Sequence, residues 1–383
     1  MSPRVAILGA GNIGQWIGGH LAHAGVDVVL IGRSVLQRTV DAGRLRLTDV
    51  ERDAEGFELL LDVPSAQLKA VFDVQEALRQ DDFDAVFVCL KMNDNKAAAP
   101  LGSLKRDTVI ISLQNGVDNQ QVLSELLPHH TVVAGMVPYG VVELSLGDFR
   151  RGTFGPLAFM NTMPGELVAA LRKAGLAVEL HKEQDMRAVQ WFKLVVNLGN
   201  ALNAIVGKPL DSCMNDGRYR CLMAAVWEEG LTVLKAAGIR IEGEIQGQPL
   251  EKAAKLLRLP SVILKVARVV KGVQAIDASY HSSMFYDLEN RRQTELNELN
   301  ERIVKLGREV HTATPMNQLL VRLTRDAEGA RLGSPRIPIE QILVQAEKEA
   351  PGILLSRQNA VPWLIAGGSV AVVAVAAIKL SAL

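Results

Sequence analysis

The sequence predicts a two-domain α/β protein in which a doubly wound sheet domain is followed by an all-helical C-terminal domain. Three observations predict this fold class. A short apolar run near the N-terminus ends in a Gly-x-Gly-x-x-Gly motif, further apolar runs alternate with helical patterns through the first half, and strand signals are sparse in the second half. The chain has 383 residues, which suits two domains because single hydrophobic cores stop growing well below that length.

The first element is the apolar run from Val5 to Leu8, which has the pattern of a buried parallel strand. The glycine motif follows at once, a helix is predicted from Ile13 to about Ala24, and Val26 to Ile31 supplies a second strand. In this order of elements the motif binds the pyrophosphate of a dinucleotide, as in Rossmann-type domains. The predicted cofactor-binding residues of the motif are Gly9, Ala10, Gly11, Asn12, Ile13 and Gly14.

The residues after the second strand indicate which nicotinamide cofactor fits. An acidic side chain there would bond the ribose 2′-hydroxyl and repel a 2′-phosphate, but this chain has Gly32-Arg33-Ser34. Arg33 offers a fork of donors that suits the 2′-phosphate of NADPH, with Arg38 as a helper. The alternative interpretation is that Arg33 is an ordinary solvated arginine.

Two loops later in this domain carry candidate residues. Further strands are predicted at Ala85 to Leu90, Thr108 to Leu113, Thr131 to Val137 and Ala177 to Leu180. Lys91 follows the first of these strands, and Asn115 follows the second. Because open sheets bind ligands at the carboxyl ends of their strands, both residues should face a cofactor. An ordinary strand-end lysine and an Asn-Gly turn explain them equally well. We place the end of this domain at residue 182.

The second domain, residues 183–325, is predicted to be helical with polar residues in apolar surroundings. In a helix from about Asp185 to Val206, the residues Lys193, Asn197 and Asn200 stand at i, i+4 and i+7 and therefore on one face. The rest of that helix is strongly apolar from residue 191 onward. The polar face is either a solvated edge of the helix or the lining of a cleft. We favour a cleft between the domains, the natural place for a substrate.

A second helix is predicted from about Met284 to Val310, and Glu295 falls on its apolar stripe. Burying a carboxylate without a partner is costly. Glu295 is therefore expected to pair with Arg291 or Arg292, or else with a ligand and a lysine across the cleft.

Composition excludes several classes of function. Lys and Arg number 42 and so do Asp and Glu, so the chain lacks the positive charge that attracts nucleic acid. Three cysteines without a Cys-x-x-Cys spacing argue against a disulfide framework, and seven histidines show no metal-ligand spacing. The histidine spacing therefore predicts no metal site. The cysteine pattern fits a reducing cytoplasm, and the first strand leaves no room for a signal peptide before it, so we expect a cytoplasmic protein.

Together these motifs resemble the ketopantoate reductase (2-dehydropantoate 2-reductase) family from Arg4 to about Leu323. The residues that carry the resemblance are the glycine motif with Arg33, Leu90-Lys91, Leu113-Gln114-Asn115-Gly116, Trp191-Phe192-Lys193-Leu194 with Asn197, Ser282-Ser283-Met284, and Thr294-Glu295. The resemblance implies NADPH-dependent reduction of a small 2-oxo acid, 2-dehydropantoate (ketopantoate), to pantoate, on the route to pantothenate and coenzyme A.

The resemblance also implies a role for each residue at the reacting centre. Lys193 would be the general acid that protonates or polarises the keto oxygen as hydride arrives. Asn197 would bind the substrate's hydroxyl or carboxylate, Ser283 would bind its carboxylate, and Asn115 would touch both substrate and cofactor. A positioned cation suits this chemistry because negative charge develops on the keto oxygen.

Three further residues are implied to lie against the cofactor. Lys91 would help to hold it, and Glu295 would sit near the nicotinamide ribose and the catalytic lysine. Val141, predicted in a loop after the strand that ends at Val137, would contact the cofactor through its backbone.

One departure from the family pattern bears on the substrate. The family commonly places a second asparagine eight residues after the lysine, where this chain has Ala201, and Asn200 stands one position earlier. We expect Asn200 to bind substrate as well. The shift leaves open a different 2-oxo acid as substrate, and a hypothesis of another class is a membrane-tethered NADPH-binding sensor without turnover.

Residues 326–383 form a C-terminal extension outside the resemblance. Its residues 361–378 are apolar and carry no charge. As a helix they would span about 27 Å, close to the thickness of the hydrocarbon core of a bilayer. This stretch predicts either a membrane anchor or a helix that packs on the protein's own surface or on a second subunit of a homodimer.

Overall fold

The computed structural model of the protein describes residues 2–52, 58–80, 82–153, 155–245, 247–261 and 280–351. The apolar stretch at 361–378, for which the sequence leaves an anchor and a packed helix open, lies outside these residues. Within the described ranges, no helix combines the length and apolar character needed to cross a membrane. The chain divides into two compact units, Met1–Lys193 and Leu194–Leu383.

The first unit contains two sheets and six helices among its described residues. Its strands are β1 (Arg4–Leu8), β2 (Asp27–Ile31), β3 (Arg44–Arg52), β4 (Glu58–Pro64), β5 (Lys69–Val71), β6 (Ala85–Val88), β7 (Val109–Ser112), β8 (Val132–Met136), β9 (Val141–Ser145), β10 (Asp148–Arg151), β11 (Leu157–Met160) and β12 (Val178–His181). Its helices are α1 (Asn12–His23), α2 (Ser34–Asp41), α3 (Val74–Gln80), α4 (Asn119–Leu126), α5 (Gly165–Lys173) and α6 (Glu183–Asn197), the last of which ends in the second unit. Two 3₁₀ segments cover Ser65–Gln67 and Met92–Ser103.

The larger sheet has the order β12-β11-β8-β7-β6-β1-β2-β5. Its neighbours are parallel except β8 and β11, which are antiparallel. Successive residues of the central strands enter different cores: Ile7 and Phe87 pack on one side, and Ala6 and Val86 on the other. Because both faces are buried, these strands read as unbroken apolar runs. The predicted α/β fold class is confirmed.

A second sheet, with the order β4-β3-β10-β9, was not predicted from the sequence. The signal for it was available in Arg44-Leu45-Arg46-Leu47, which alternates charged and apolar residues as a half-buried strand does. Leu45 and Leu47 are both buried in the core of the unit. Strand β10 joins this sheet by pairing in parallel with β3, a long-range contact that local patterns do not encode.

The second unit is helical apart from one short hairpin within its described residues. Its helices are α7 (Gly199–Val206), α8 (Leu210–Asn215), α9 (Gly217–Ala236), α10 (Leu250–Leu257), α11 (Ser283–Glu289), α12 (Asn300–Glu309), α13 (Pro315–Ala330) and α14 (Ile339–Glu349). The hairpin pairs β13 (Glu244–Ile245) with β14 (Gln248–Pro249).

The prediction of one helix over residues 185–206 was wrong, because the helix is interrupted at Leu198 between α6 and α7. Gly199 opens α7, and a Cβ atom there would lie 2.2 Å from the sulfur atom of Met223 on α9. The glycine therefore lets α7 approach α9 closely. Glycine is also a poor residue for a helix interior.

The prediction of one helix over residues 284–310 was also wrong, since residues 290–299 separate α11 from α12. Arg291 has a φ of +56°, and the amide of Arg292 donates to the carbonyl of Asp287 over 2.8 Å. A left-handed residue with this backbone bond is the Schellman ending of a helix. Arginine is an uncommon residue at that position, where glycine is usual, so residue type did not predict the end of the helix.

Candidate active site

The glycine-rich loop joins β1 to α1 and is shaped by backbone contacts. The amides of Gly9 and Ala10 donate to the carbonyl of Ile31 over 3.0 and 2.9 Å, and Gly9 has a φ of +95°. A Cβ atom on Gly14 would lie 2.4 Å from the carbonyl oxygen of Gly9, whereas a Cβ on Gly11 would meet no atom within 4 Å. Close packing therefore requires Gly14, while Gly11 borders open space.

The N-terminus of α1 fits the phosphates of a dinucleotide. Gly11 is the N-cap residue and has no side chain to cap the helix, and the first turn of α1 contains no acidic residue. The amides and dipole of such a helix end favour an anion. With the open space at Gly11, this loop has the cradle that a pyrophosphate needs. Ile13, one of the predicted motif residues, packs against the core.

Asn12 connects the glycine-rich loop to Val141. The side-chain amide of Asn12 donates to the main-chain carbonyl of Val141 over 2.9 Å. Val141 is the first residue of β9 and does not lie in a loop, so that part of the prediction was wrong. Strands β9 and β10 pair as a hairpin. This pairing gives Val141 a regular strand conformation although a proline and a glycine come shortly before it in the sequence.

Arg33 lies at the N-cap of α2, just after β2. Its side chain is 78% exposed, and its guanidinium nitrogen Nη2 lies 3.5 Å from Oδ2 of Asp94. Arg38, the predicted helper, is half-buried and binds Glu143, with Nε 3.3 Å from Oε1. Both arginines thus have a carboxylate neighbour, and Arg33 is the more accessible cation at the end of β2.

Lys91 and Asn115 lie on neighbouring loops that Gln114 ties together. The side-chain amide of Gln114 donates to the carbonyl of Leu90 over 3.0 Å and to Oδ1 of Asn95 over 2.6 Å. Lys91 follows Leu90 directly and its Nζ atom is buried. Sequence reasoning gave Gln114 no role. In the structure, the side chain of Gln114 joins the segment that follows β7 to the segment that follows β6.

Lys193, the predicted general acid, lies on α6 and contacts the segment between β8 and β9. Its ammonium nitrogen donates to the main-chain carbonyl of Pro138 over 2.9 Å. Val141, three residues later, accepts the bond from Asn12. The short segment of residues 138–141 therefore meets both the lysine and the glycine-rich loop.

Asn197 and Asn200 flank the break between α6 and α7. Asn197 is the last residue of α6 and is buried, and Asn200 is the second residue of α7 and is partly buried. Leu198, between them, has a φ of −56° and a ψ of −30°, and its amide donates to the carbonyl of Leu194 over 3.1 Å. The main-chain carbonyl of Asn200 accepts a bond of 2.9 Å from the hydroxyl of Ser282.

Ser282 and Ser283 have different structural roles. Ser282 is buried, and its hydroxyl caps α11 by accepting from the amide of Phe285 over 3.4 Å. The same hydroxyl donates to the carbonyl of Asn200, and the main-chain amide of Ser282 donates to Oδ1 of Asn203 over 2.8 Å. Ser283 is the first residue of α11 and is exposed. The buried serine fixes the position of the helix, and the adjacent exposed serine is the one available to a ligand.

Glu295 lies in the irregular segment 290–299 and is buried with 6% of its surface exposed. The preceding residue, Thr294, is held firmly: its amide and its hydroxyl both donate to Oε1 of Glu328, over 2.7 and 2.8 Å. Of the two arginines predicted as partners of Glu295, Arg292 lies 3.7 Å from Oδ1 of Asp287. The predicted burial of this carboxylate holds, although the helix predicted around it was wrong.

A buried polar network in the second unit centres on Asn317. Its side-chain amide donates to Oε2 of Glu229 over 2.9 Å, and its Oδ1 accepts a bond of 3.0 Å from Asn300. The carboxylate of Glu229 also accepts hydrogen bonds from the main-chain amides of Met316 and Asn317 at the start of α13. Burial raises the pKa of Glu229 to about 7 although these amides favour its charged form. Sequence reasoning missed this network, for which the signal was polar residues inside apolar helical patterns.

Metal ligands are not clustered in the described ranges: no three histidine, cysteine, aspartate or glutamate side chains there are placed to hold a metal ion.

Cys89, which follows β6, has a thiol whose pKa burial raises to about 12. It is therefore a neutral thiol at neutral pH and a poor nucleophile.

Two family models match the chain in succession. The model described as ketopantoate reductase PanE/ApbA matches residues 5–162, and the model of the C-terminal part of the same family matches residues 185–328. A 2-dehydropantoate 2-reductase of Archaeoglobus fulgidus is 27% identical over 335 residues, which cover 85% of this chain and 98% of the relative.

Solved structures show the same similarity. A PanE/ApbA family ketopantoate reductase from Ralstonia eutropha is 28% identical, with a TM-score of 0.66, over 86% of this chain and 99% of that one. A D-mandelate dehydrogenase, solved with NADH and anilino(oxo)acetate, has the same TM-score and coverage at 20% identity. The second similarity concerns the fold alone.

Proposed function

Because the chain belongs to the ketopantoate reductase family, we propose that it reduces 2-dehydropantoate to pantoate with NADPH, a step toward pantothenate and coenzyme A. The family's activity makes the protein an oxidoreductase that acts on CH–OH groups. The observation that carries the proposal is the bond from Lys193 to the carbonyl of Pro138, in the segment that also meets the glycine-rich loop through Asn12.

In the proposed reaction, NADPH, when bound, would supply the hydride that the keto carbon of the substrate accepts. The electron pair of the carbonyl π bond moves to oxygen, and the ammonium group of Lys193 gives that oxygen a proton. The product is an alcohol, and Lys193 regains its proton from solvent. Proton donation of this kind accelerates a reaction by about 10²- to 10⁴-fold.

The bond to Pro138 orients the lysine for this step. An ammonium group has three protons, and one of them is directed at the Pro138 carbonyl. The direction of the remaining two is thereby restricted, so that one can be aimed at a developing alkoxide. Asn197, one turn further along α6, would bind the substrate's hydroxyl or carboxylate, and the exposed Ser283 would bind its carboxylate.

The cofactor preference rests on Arg33. Its exposed guanidinium follows β2, where an NAD-dependent protein would carry an acidic residue. The motif residues Gly9 to Gly14 would hold the pyrophosphate. Lys91, Asn115, Val141 and Glu295 would hold the remainder of the cofactor.

A second candidate function is the reduction of another 2-oxo acid. Ala201, where the resemblance to the family leads one to expect asparagine, is fully buried, and Asn200 lies next to the helix break. A pocket that lacks one amide and has another displaced would favour a substrate with different hydrogen-bonding groups.

The experiment that tests the proposal follows NADPH oxidation by the full-length protein with 2-dehydropantoate and, in parallel, other 2-oxo acids. The variant Lys193→Ala should lose turnover by about 10²-fold or more while it still binds NADPH. The control is Lys182→Ala, since Lys182 is exposed and immediately precedes α6.

Turnover of a different oxo acid alone would support the second candidate. NADPH binding without turnover of any oxo acid would instead favour the sensor hypothesis.

A homodimer stays a prediction, which sedimentation of the purified protein tests.

A further inference from the structure

We propose that Tyr139, held beneath the buried ion pair of Asp49 and Arg151, is a positioning residue for Lys193. This inference rests on the proposed function, because it assigns Tyr139 the task of aiming the proton donor of that reaction. The peptide unit between Pro138 and Tyr139 supplies the carbonyl oxygen that accepts from Lys193. Whatever fixes this peptide unit also fixes the ammonium group.

Each end of that peptide unit is held by packing. Pro138 lies against Gly155, where a Cβ atom would be 2.9 Å from two atoms of the proline ring. Tyr139 is buried with 4% of its surface exposed. The indole ring of Trp16 meets its ring edge-on, with centroids 6.4 Å apart.

Arg151 lies over the ring of Tyr139, with its guanidinium carbon 5.3 Å from the ring centroid. A guanidinium attracts the negative face of an aromatic ring, and the attraction strengthens when both are withdrawn from water. The side chain of Arg151 is 11% exposed. The tyrosine ring thus contacts both the guanidinium of Arg151 and the indole of Trp16.

Asp49 fixes the arginine in turn. Its Oδ1 atom accepts from Nε of Arg151 over 2.9 Å and lies 2.8 Å from Nη2. The pairing of β10 with β3, in which Arg150 is opposite Thr48, places Asp49 beside Arg151. Replacing a buried ion pair by apolar residues is often neutral or stabilising, so stability is a weak reason for one here. Orientation of the tyrosine is a use that needs both charges.

The rest of the segment is anchored independently of Tyr139. The amide of Gly140 donates to the hydroxyl of Thr153 over 3.2 Å, and its carbonyl accepts from the amide of Gly152 over 2.8 Å. The carbonyl of Val141 accepts from Asn12. Loss of the tyrosine ring should therefore release the Pro138 peptide unit without releasing β9 or the glycine-rich loop.

The test compares Tyr139→Leu with Tyr139→Phe, which keeps the ring and removes only the hydroxyl. We expect Tyr139→Leu to lower kcat by about ten-fold, since an error of 1 Å in placing a catalytic group can cost as much as a hundred-fold. The solvent deuterium isotope effect on kcat should rise, because proton transfer becomes slower. Tyr139→Phe should stay within about two-fold of the wild-type kcat. Arg151→Lys, which keeps the charge but not the planar group, should fall between them.

A readout that does not require turnover is acetylation of Lys193 by limiting acetic anhydride, measured relative to the exposed Lys173. Tyr139→Leu should raise this ratio several-fold and Tyr139→Phe should not. The inference is overturned if Tyr139→Leu loses kcat only in proportion to its folded fraction, with unchanged isotope effect and acetylation ratio. If the wild type reduces no oxo acid, the proposed function fails and the acetylation ratio alone decides the placement of Lys193.

Discussion

The side-chain amide of Asn300 donates to the main-chain carbonyl of Leu198 over 3.0 Å. Leu198 is the residue at which α6 gives way to α7, so its carbonyl has left the regular helical ladder and needs another donor. Asn300 supplies that donor from the start of α12 and is fully buried. The break that follows Asn197 is therefore built into the packing of the second unit.

Replacing Asn300 by alanine should destabilise the protein. The Leu198 carbonyl and Oδ1 of Asn317 would both lose their donor, and one unsatisfied buried group costs about 1–3 kcal/mol. With two such groups, denaturant unfolding of Asn300→Ala should show a loss of about 2–6 kcal/mol. The control is Asn290→Ala, an exposed residue whose amide bonds the carbonyl of Tyr286, and it should change the free energy of unfolding by less than about 0.5 kcal/mol. Equal losses in both variants would contradict the role given to Asn300.

The glycine-rich loop offers a matched pair of substitutions. Gly14→Ala places a methyl group 2.4 Å from the carbonyl of Gly9, so it should lower the free energy of unfolding by about 1–3 kcal/mol. Gly11→Ala meets no protein atom within 4 Å and has a φ of −82°, which alanine adopts freely. It should unfold like the wild type yet bind NADPH more weakly, because its methyl group enters the space proposed for the pyrophosphate. Isothermal titration and thermal unfolding measure the two effects, and unchanged NADPH affinity in Gly11→Ala would argue against this cradle.

Arg33 should decide the preference between NADPH and NADH. Arg33→Ala removes a charged hydrogen bond of about 1.5–3 kcal/mol, which corresponds to about a 10- to 150-fold loss in kcat/KM with NADPH. The value with NADH should change little, because NADH lacks the 2′-phosphate. Arg79→Ala, an exposed arginine on α3, is the control. A parallel loss with both cofactors would mean that Arg33 does not contact the 2′-phosphate.

Thr294 should matter to the cofactor through its neighbour Glu295. Thr294→Val keeps the shape of the side chain but removes the hydroxyl that donates to the carboxylate of Glu328 over 2.8 Å, a loss of about 1.5–3 kcal/mol. If Glu295 binds the nicotinamide ribose, the loosened segment should also weaken NADPH binding by about three- to ten-fold. Thr294→Ser restores the hydroxyl and should restore affinity. Affinity that is the same in the serine and valine variants would dissociate Thr294 from the cofactor.

Glu229 should make stability depend on pH. Its pKa is about 7 in the folded protein against an ordinary value of 4.5, so between these values the folded state holds a proton that the unfolded chain has lost. The contribution is fully present below about pH 4.5 and is lost as pH rises through about 7, with an upper limit near 3 kcal/mol. Denaturant unfolding of the wild type between pH 5 and 8 should show this decline, and Glu229→Gln should have a flatter profile. An unchanged slope in the variant would assign the pH dependence to other groups.

Local sequence patterns predicted the elements in which the spacing of apolar residues shows which faces are buried. The strand from Val5 and the glycine turn after it follow from an apolar run that must be covered on both faces and from a loop that only glycine can form. The burial of Glu295 was also predicted. The helix predicted around it was wrong, because the apolar stripe of a helix and an irregular buried segment can have the same spacing of apolar residues.

The features that the sequence left open depend on contacts between distant residues. Whether 185–206 is one helix was decided by the approach of Met223 to Gly199 and by the bond from Asn300 to Leu198. The carbonyl that accepts from Lys193 belongs to Pro138, 55 residues earlier, and no pattern in the sequence marks a backbone oxygen as an acceptor.

The sequence by itself determined the fold class, the glycine-rich turn after the first strand and the family, because each depends on short-range spacing and residue type. Only the tertiary structure decided how the predicted site residues are held: Lys193 by Pro138, Asn12 against Val141, and Thr294 beside Glu295 by Glu328. The physical reason is that a hydrogen bond needs its atoms within about 3 Å and in line. Residues far apart in the chain meet that condition only after the cores have packed.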